Sequence, residues 1–141
     1  MAPLRQALPL ALVGLAAAAP LAPRVTCYSG VYMIVARGTT EDPGEGKPQQ
    51  VSDLVEAAIP GSFSVAVDYP ATALDPPYPV SVGDGITDTI NKIHEYVDAC
   101  GSDSRIVLIG YSQGGNVMTD VLAGGVAKPD VLEAEYAQYS K

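Results

Sequence analysis

Tryptophan is missing from this 141-residue sequence, phenylalanine and histidine occur once each, and there are two cysteines. Positive charge is scarce too. Eight Lys and Arg face 16 Asp and Glu, a net charge of −8, which argues against a nucleic-acid partner, whose phosphates demand a basic surface. No internal repeat or long low-complexity tract is present. The longest apolar stretch, from Ala7 to Ala22, is broken by Pro9, Gly14 and Pro20 and falls short of the ~18 to 20 residues of a membrane span. What the chain has in quantity is apolar: hydrophobic residues make up 48%, which excludes a disordered polymer. Its length is that of one domain with a core, expected to be a monomer.

The start reads as a secretory signal. Arg5 provides the basic beginning, Ala7 to Leu15 the apolar centre, and Ala16 to Ala19 the small-residue tract a signal peptidase requires, with cleavage after Ala18 or Ala22 both open. Residues 1–22 are therefore expected to be a signal peptide with a short pro-like segment, and residues 23–141 a single domain released to the medium. An uncleaved anchor is the alternative. Export gives the cysteine count meaning, because a secreted chain with two cysteines normally pairs them. A Cys27–Cys100 disulfide is expected, against the alternative of two buried thiols.

Along the domain, Val31 to Ala36 is a continuous apolar run rich in β-formers, expected to be a central parallel strand. A loop holding Pro43, Gly44, Gly46 and Pro48 follows it. Val51, Leu54, Val55 and Ala58 then mark one face of a helix that stops at Pro60-Gly61. Phe63 to Tyr69, with Phe63, Val65 and Val67 alternating, reads as a second strand ended by Pro70. From near Ser81 a long helix places Val82, Ile86, Ile90, Ile93 and Val97 in one stripe and ends at Gly101. Ile106 to Ile109 is aliphatic throughout, as in a parallel strand buried on both faces, and Val117, Met118, Val121 and Leu122 recur at helical spacing after it. Gly124-Gly125 caps that helix. A last short helix is expected from Asp130, with Glu133 completing a capping box and Leu132, Tyr136 and Tyr139 on one face. Strands alternating with helices predict a right-handed α/β fold on a parallel sheet.

The chemistry converges on Gly110-Tyr111-Ser112-Gln113-Gly114, at the junction of the third strand and its helix. A nucleophile elbow needs a sharp strand-to-helix turn, and glycines two residues either side of the serine let neighbouring backbone pass without Cβ collisions. Gly110 and Gly114 stand there, so Ser112 is the candidate nucleophile.

Two motifs and their surroundings carry a family resemblance. Ala36-Arg-Gly-Thr-Thr-Glu41 after the first strand, the elbow itself, the Val67-Asp-Tyr-Pro-Ala71 stretch, and a cysteine before each of the first and third strands resemble the cutinases and acetylxylan esterases, over roughly residues 27 to 123. These are small secreted serine esterases. The resemblance implies a three-layer α/β-hydrolase fold, incomplete at its C-terminal end, and a carboxylic ester hydrolase without metal or cofactor. It implies Ser112 as nucleophile, the backbone N–H groups of Thr39 and Gln113 as oxyanion hole, and Cys27–Cys100 as the disulfide. The substrate would be an ester of cutin-like polyester, a short acyl ester or acetylated xylan. Gly115 leans slightly towards the acetylxylan side, while the loop after Tyr69 lacks the second cysteine pair of some acetylxylan esterases.

One departure is large. Triads of this fold place the acid and then the histidine after the nucleophile in chain order, and no histidine follows Ser112. The catalytic Asp and His are thus expected to be absent from this chain, with the third strand left at a sheet edge. The sole histidine, His94, falls on the long helix at the margin of its apolar stripe, and Asp120 and Asp130 are poor acids with no histidine to orient. A non-catalytic truncated relative that binds an apolar or polysaccharide surface is the alternative from another class.

Overall fold

The computed structural model describes residues 25–125; the signal segment and the helix expected beyond Asp130 lie outside the described residues. Three strands form one parallel sheet in the order β2-β1-β3, with β1 at Tyr32–Ala36, β2 at Phe63–Ala66 and β3 at Ile106–Gly110. Helix α1, Gln49–Ala58, links β1 to β2; α2, Tyr78–Cys100, links β2 to β3; and α3, Gln113–Ala123, follows the elbow. Since β2 and β3 lie on opposite sides of β1, right-handed crossovers put α1 on one face of the sheet and α2 on the other. The α/β class and parallel sheet are those the sequence led us to expect.

The main core lies between the sheet and the α2/α3 layer. Ile34, Ala36 and Ile106 from the strands meet Val82, Ile86, Ile93 and Val97 of α2 and Val117, Met118 and Val121 of α3. Helix α2 forms because these apolar residues recur in one stripe. Pro79 is tolerated in its first turn, where no intrahelical N–H is needed, and Gly101 ends it at φ 67°. Met33 and Val35, alternating with Ile34 and Ala36, are fully buried on the opposite face. At the lower end, the Cys27–Cys100 disulfide, Cα to Cα 5.5 Å, ties the start of β1 to the end of α2. Beside it the rings of Phe63, Tyr28, Tyr32 and Tyr96 stack within 6° of parallel.

Six expectations need correction. Strand β1 begins at Tyr32, not Val31, and α2 begins at Tyr78, three residues before Ser81. Strand β2 is shorter than Phe63–Tyr69, although the Val67 N–H still donates to the Val35 carbonyl at 2.8 Å. The apolar stripe of α1 turns to solvent: Val51 is 50% and Leu54 70% exposed, while Ser52 on the neighbouring face is buried. Leu122 is likewise exposed, and β3 is not buried on both faces. As the edge strand it buries Ile106 completely but leaves Val107, Leu108 and Ile109 half-buried. An aliphatic run specifies a strand's capacity for burial; its place in the sheet decides how much is realised.

Candidate active site

The register Ala36↔Gly110 means that β1 and β3 release the chain at the same height, at the carboxyl end of the sheet. Two loops leave side by side there, one beginning at Arg37 and the other at Tyr111. In open α/β folds this is where ligands bind. The Tyr111 N–H extends the ladder by donating to the Ala36 carbonyl at 3.1 Å, and the chain then reverses into α3.

Ser112 sits at the reversal, in the cap position of α3, with φ 53° and ψ −116°. A left-handed φ is rare for a residue with a Cβ and is held only where the surroundings determine it. They do so here through the two glycines. A Cβ on Gly114 would collide with the Ala36 carbonyl, and one on Gly110 with the Gly114 carbonyl, so β1, β3 and the first turn of α3 pack backbone to backbone. The result lifts the Ser112 side chain into solvent while Gln113 directly behind it is 1% exposed.

Thr39 lies three residues beyond Ala36, half-buried, in a loop fixed at both ends. The Thr40 N–H donates to the Ala71 carbonyl at 2.8 Å, and the Gly38 N–H donates to Glu41 Oε2 at 2.5 Å. Among the described residues no hydrogen-bond acceptor stands opposite the N–H of Thr39 or of Gln113. The second of these opens α3, where unpaired N–H groups and the helix dipole favour negative charge. Thr39, Ser112 and Gln113 thus come to one edge of the sheet.

Four supporting residues were given no role in the sequence reading, although Arg37, Glu41 and Tyr69 fall within the motifs that carry the resemblance. Arg37, 3% exposed, donates through Nε to the Glu41 carbonyl at 3.0 Å and through Nη2 to the Tyr69 carbonyl at 2.5 Å, with the Val67 and Pro70 carbonyls at 3.4 Å. Its guanidinium lies 5.0 Å from the Tyr69 ring centre, and the Tyr69 hydroxyl donates back to the Arg37 carbonyl at 2.5 Å. Burial pushes the Tyr69 phenol up to about 12, partly opposed by the Arg37 charge. Glu41 holds the Gly38 N–H as above and the Lys47 N–H at 3.1 Å, and the Lys47 ammonium sits 4.7 Å over the Tyr111 ring. The one available signal was a charged residue directly after an apolar strand.

His94 is not brought to the site. It lies 13 residues beyond Ser81 on α2, about 20 Å along the helix axis. Asp120 is buried two turns down α3 from Ser112. Among the described residues no three His, Cys, Asp or Glu side chains gather as metal ligands, and no helix is long and apolar enough to cross a membrane.

Comparison with known proteins places the chain in a family and a fold. Acetylxylan esterase 2 of Talaromyces purpureogenus is 37% identical over 100 residues, 67% of this chain and 42% of that protein. Cutinase 11 of Verticillium dahliae is 36% identical over 124 residues, 84% of this chain and 41% of that protein. The solved catalytic core domain of acetyl xylan esterase from Trichoderma reesei superimposes with a TM-score of 0.73 at 30% identity, covering 82% of this chain and 61% of that one. The chain therefore spans well under half the length of the curated relatives it matches. The family described as cutinase matches residues 27–139, from the first cysteine through both loops that frame Ser112, and the chain belongs to that family.

Proposed function

We propose that this chain carries the nucleophile and oxyanion hole of a secreted serine carboxylesterase. Ser112 attacks the ester carbonyl, the N–H groups of Thr39 and Gln113 receive the developing oxyanion, the alcohol leaves, and water then hydrolyses the acyl-enzyme. The observation that carries this reading is a strained, exposed Ser112 at the same edge of the sheet as the N–H groups of Thr39 and Gln113, neither of which meets an acceptor among the described residues. The substrate is a cutin-like polyester, a short acyl ester or acetylated xylan, in keeping with the cutinase and acetylxylan esterase relatives.

A serine of this kind needs a base, and His94 is out of reach. Residues 23–141 are therefore read as the N-terminal part of one domain, in which the acid and the histidine come from chain beyond Lys141. The relatives, of which this chain spans about two fifths, support that reading. Residues 1–22 are read as the signal that exports it.

The experiment compares short-chain aryl ester hydrolysis by the 141-residue chain, by a version extended with the downstream reading frame, and by the extended Ser112→Ala variant. Hydrolysis by the extended protein alone, lost in the alanine variant, is expected. Residual catalysis of ~10³ to 10⁴ over water from the oxyanion hole and binding is the most the short chain should show. Undiminished hydrolysis by the alanine variant would refute the assignment of Ser112. Cutin and acetylated xylan as substrates in the same assay decide between the classes.

A further inference from the structure

Gln113 does more than contribute an N–H. Its carboxamide, buried with the rest of the residue, sits in a closed ring of hydrogen bonds that no motif announced. Gln113 Nε2 donates to the Thr72 carbonyl at 2.8 Å, the Thr72 N–H donates to Ser81 Oγ at 3.1 Å, and Ser81 Oγ donates to Gln113 Oε1 at 3.1 Å. Ser81 is fully buried, and its bond to Gln113 is buried with it, so that leg has no water to replace it. Each group in the ring uses one donor to satisfy one acceptor, an arrangement in which hydrogen bonds polarise and strengthen one another.

The ring matters because of what it is joined to. Thr72 directly follows Ala71, a fully buried residue held at φ 54°, and the Ala71 carbonyl receives the Thr40 N–H. Thr40, itself at φ 63°, directly follows Thr39. From Gln113 the path is therefore carboxamide, Thr72, Ala71, Thr40, Thr39, all within hydrogen-bond or peptide-bond distance. Among the described residues the only non-glycine residues with positive φ are Thr40, Ala71 and Ser112; the path passes through the first two and starts one peptide bond from the third. Strained backbone of this sort persists only when its surroundings determine it. The ring supplies that determination at Ala71.

We propose that the Gln113 side chain is a positioning residue that sets the separation of the two oxyanion donors: its backbone N–H is one, and through the Thr72–Ala71–Thr40 path its carboxamide fixes the loop bearing the other, Thr39. The inference rests on the reading of Thr39 and Gln113 as the oxyanion hole. It also gives a reason for glutamine after the nucleophile. A backbone donor needs no particular side chain, but a carboxamide accepting from Ser81 and donating to Thr72 is met by glutamine and not by glutamate, whose carboxylate would face the Thr72 carbonyl.

The test has two arms. In the first, amide hydrogen exchange is followed in the 141-residue chain and in Gln113→Leu and Ser81→Ala. The Thr40 N–H should lose protection in both variants, while amides of β1 such as Ile34 and Val35 keep theirs. Unchanged Thr40 exchange in a variant whose β1 remains protected overturns the proposal. Ser81→Ala cuts two of the ring's three legs without touching the elbow, so it decides the matter if Gln113→Leu does not fold. In the second arm, the extended protein carrying Gln113→Leu should lose kcat by ~10²-fold with KM little changed, as for a group misplaced by about 1 Å. Ser81→Ala should lose less, and the two effects should be less than additive. A loss confined to KM, or strictly additive losses, overturns it. If Ser112→Ala retains activity, the oxyanion-hole reading itself has failed; if Ser112→Ala is inactive and Gln113→Leu is unimpaired in kcat, this inference alone has failed.

Discussion

Replacing Arg37 by methionine should cost more stability than any other single change of charge in the described residues. The guanidinium is 3% exposed and no carboxylate among the described residues pairs with it; its charge is met by carbonyl oxygens from two different loops. Two of those bonds are short, to Glu41 at 3.0 Å and Tyr69 at 2.5 Å, and two are long at 3.4 Å. A hydrogen bond to a charged group contributes about 1.5 to 3 kcal/mol, so the short pair is worth about 3 to 6 kcal/mol and the long pair little more. Methionine keeps the apolar stem against the Tyr69 ring and removes the cost of burying a cation, which offsets part of the loss. The expected change is about 3 kcal/mol, a large share of the 5 to 15 kcal/mol typical of a domain. Arg37→Lys keeps the charge but cannot span both loops, and should lose roughly half as much. Urea unfolding followed by circular dichroism, with the slope m unchanged, measures both. A methionine variant within about 0.5 kcal/mol of the parent would refute the reasoning. Full stability of the lysine variant would show that charge, not the fork joining the two loops, is what matters.

Other outcomes follow from the same structure. Opening the Cys27–Cys100 bridge with a double serine variant frees a 73-residue loop and should lower stability by up to about 4 kcal/mol on the chain-entropy account, read as a shift in urea midpoint. Burial pushes the Tyr69 phenol up to about 12 in the folded chain against about 10 unfolded, so its contribution is complete below pH 10 and is lost as pH rises from 10 to 12, by roughly 2 to 3 kcal/mol at most. Unfolding midpoints at pH 9 and 11.5 check this, and Tyr69→Phe should flatten the slope. Gly114→Ala drives a methyl into the Ala36 carbonyl and should cost about 2 kcal/mol or more, with loss of the elbow visible as lost near-ultraviolet signal from Tyr111. Leu54→Lys, on a side chain 70% exposed, should change stability by less than about 0.5 kcal/mol, read as an unchanged urea midpoint.

What was legible in the sequence, and what was not, divides along a physical line. Periodicity and composition carry information about single elements, and β1, α2, β3 and the elbow were all readable because their burial pattern or turn chemistry is local. Ser112, Gly110 and Gly114 belong to this class, since a turn that needs glycine two residues either side of a serine advertises itself within five positions. The Cys27–Cys100 pair was legible for a different reason: with two cysteines there is one possible bridge. Arg37, Glu41, Tyr69, Ser81 and the Gln113 carboxamide belong to the opposite class. Arg37, Tyr69 and the Gln113 carboxamide act on backbone about 30 to 40 residues away, Glu41 and Ser81 on nearer loop amides, and backbone groups have no side-chain signature for a sequence to display.

Helix α1 shows the same limit from the side of packing. Its apolar residues Val51, Leu54, Val55 and Ala58 form a sound helical stripe, and the helix is where the stripe predicted. Yet at 100° per residue the centre of that stripe lies roughly 100° around the axis from Ser52, the residue buried against the sheet. What turns Ser52 inward is a set of polar contacts at one flank: its hydroxyl meets Glu45, and Glu56 accepts from Ser64 of β2 at 2.7 Å. These fix the helix about its axis towards β2. The crossover from β1 to β2 is right-handed and α1 runs antiparallel to the strands, so a stripe displaced in this sense faces the β3 side of the sheet. That is the side on which Val107 and Ile109, in register with the buried Met33 and Val35, are only half-covered. A hydrophobic stripe states that a helix has something to bury; which neighbour it faces is settled by the connection's handedness and by a few polar contacts, neither of which periodicity records.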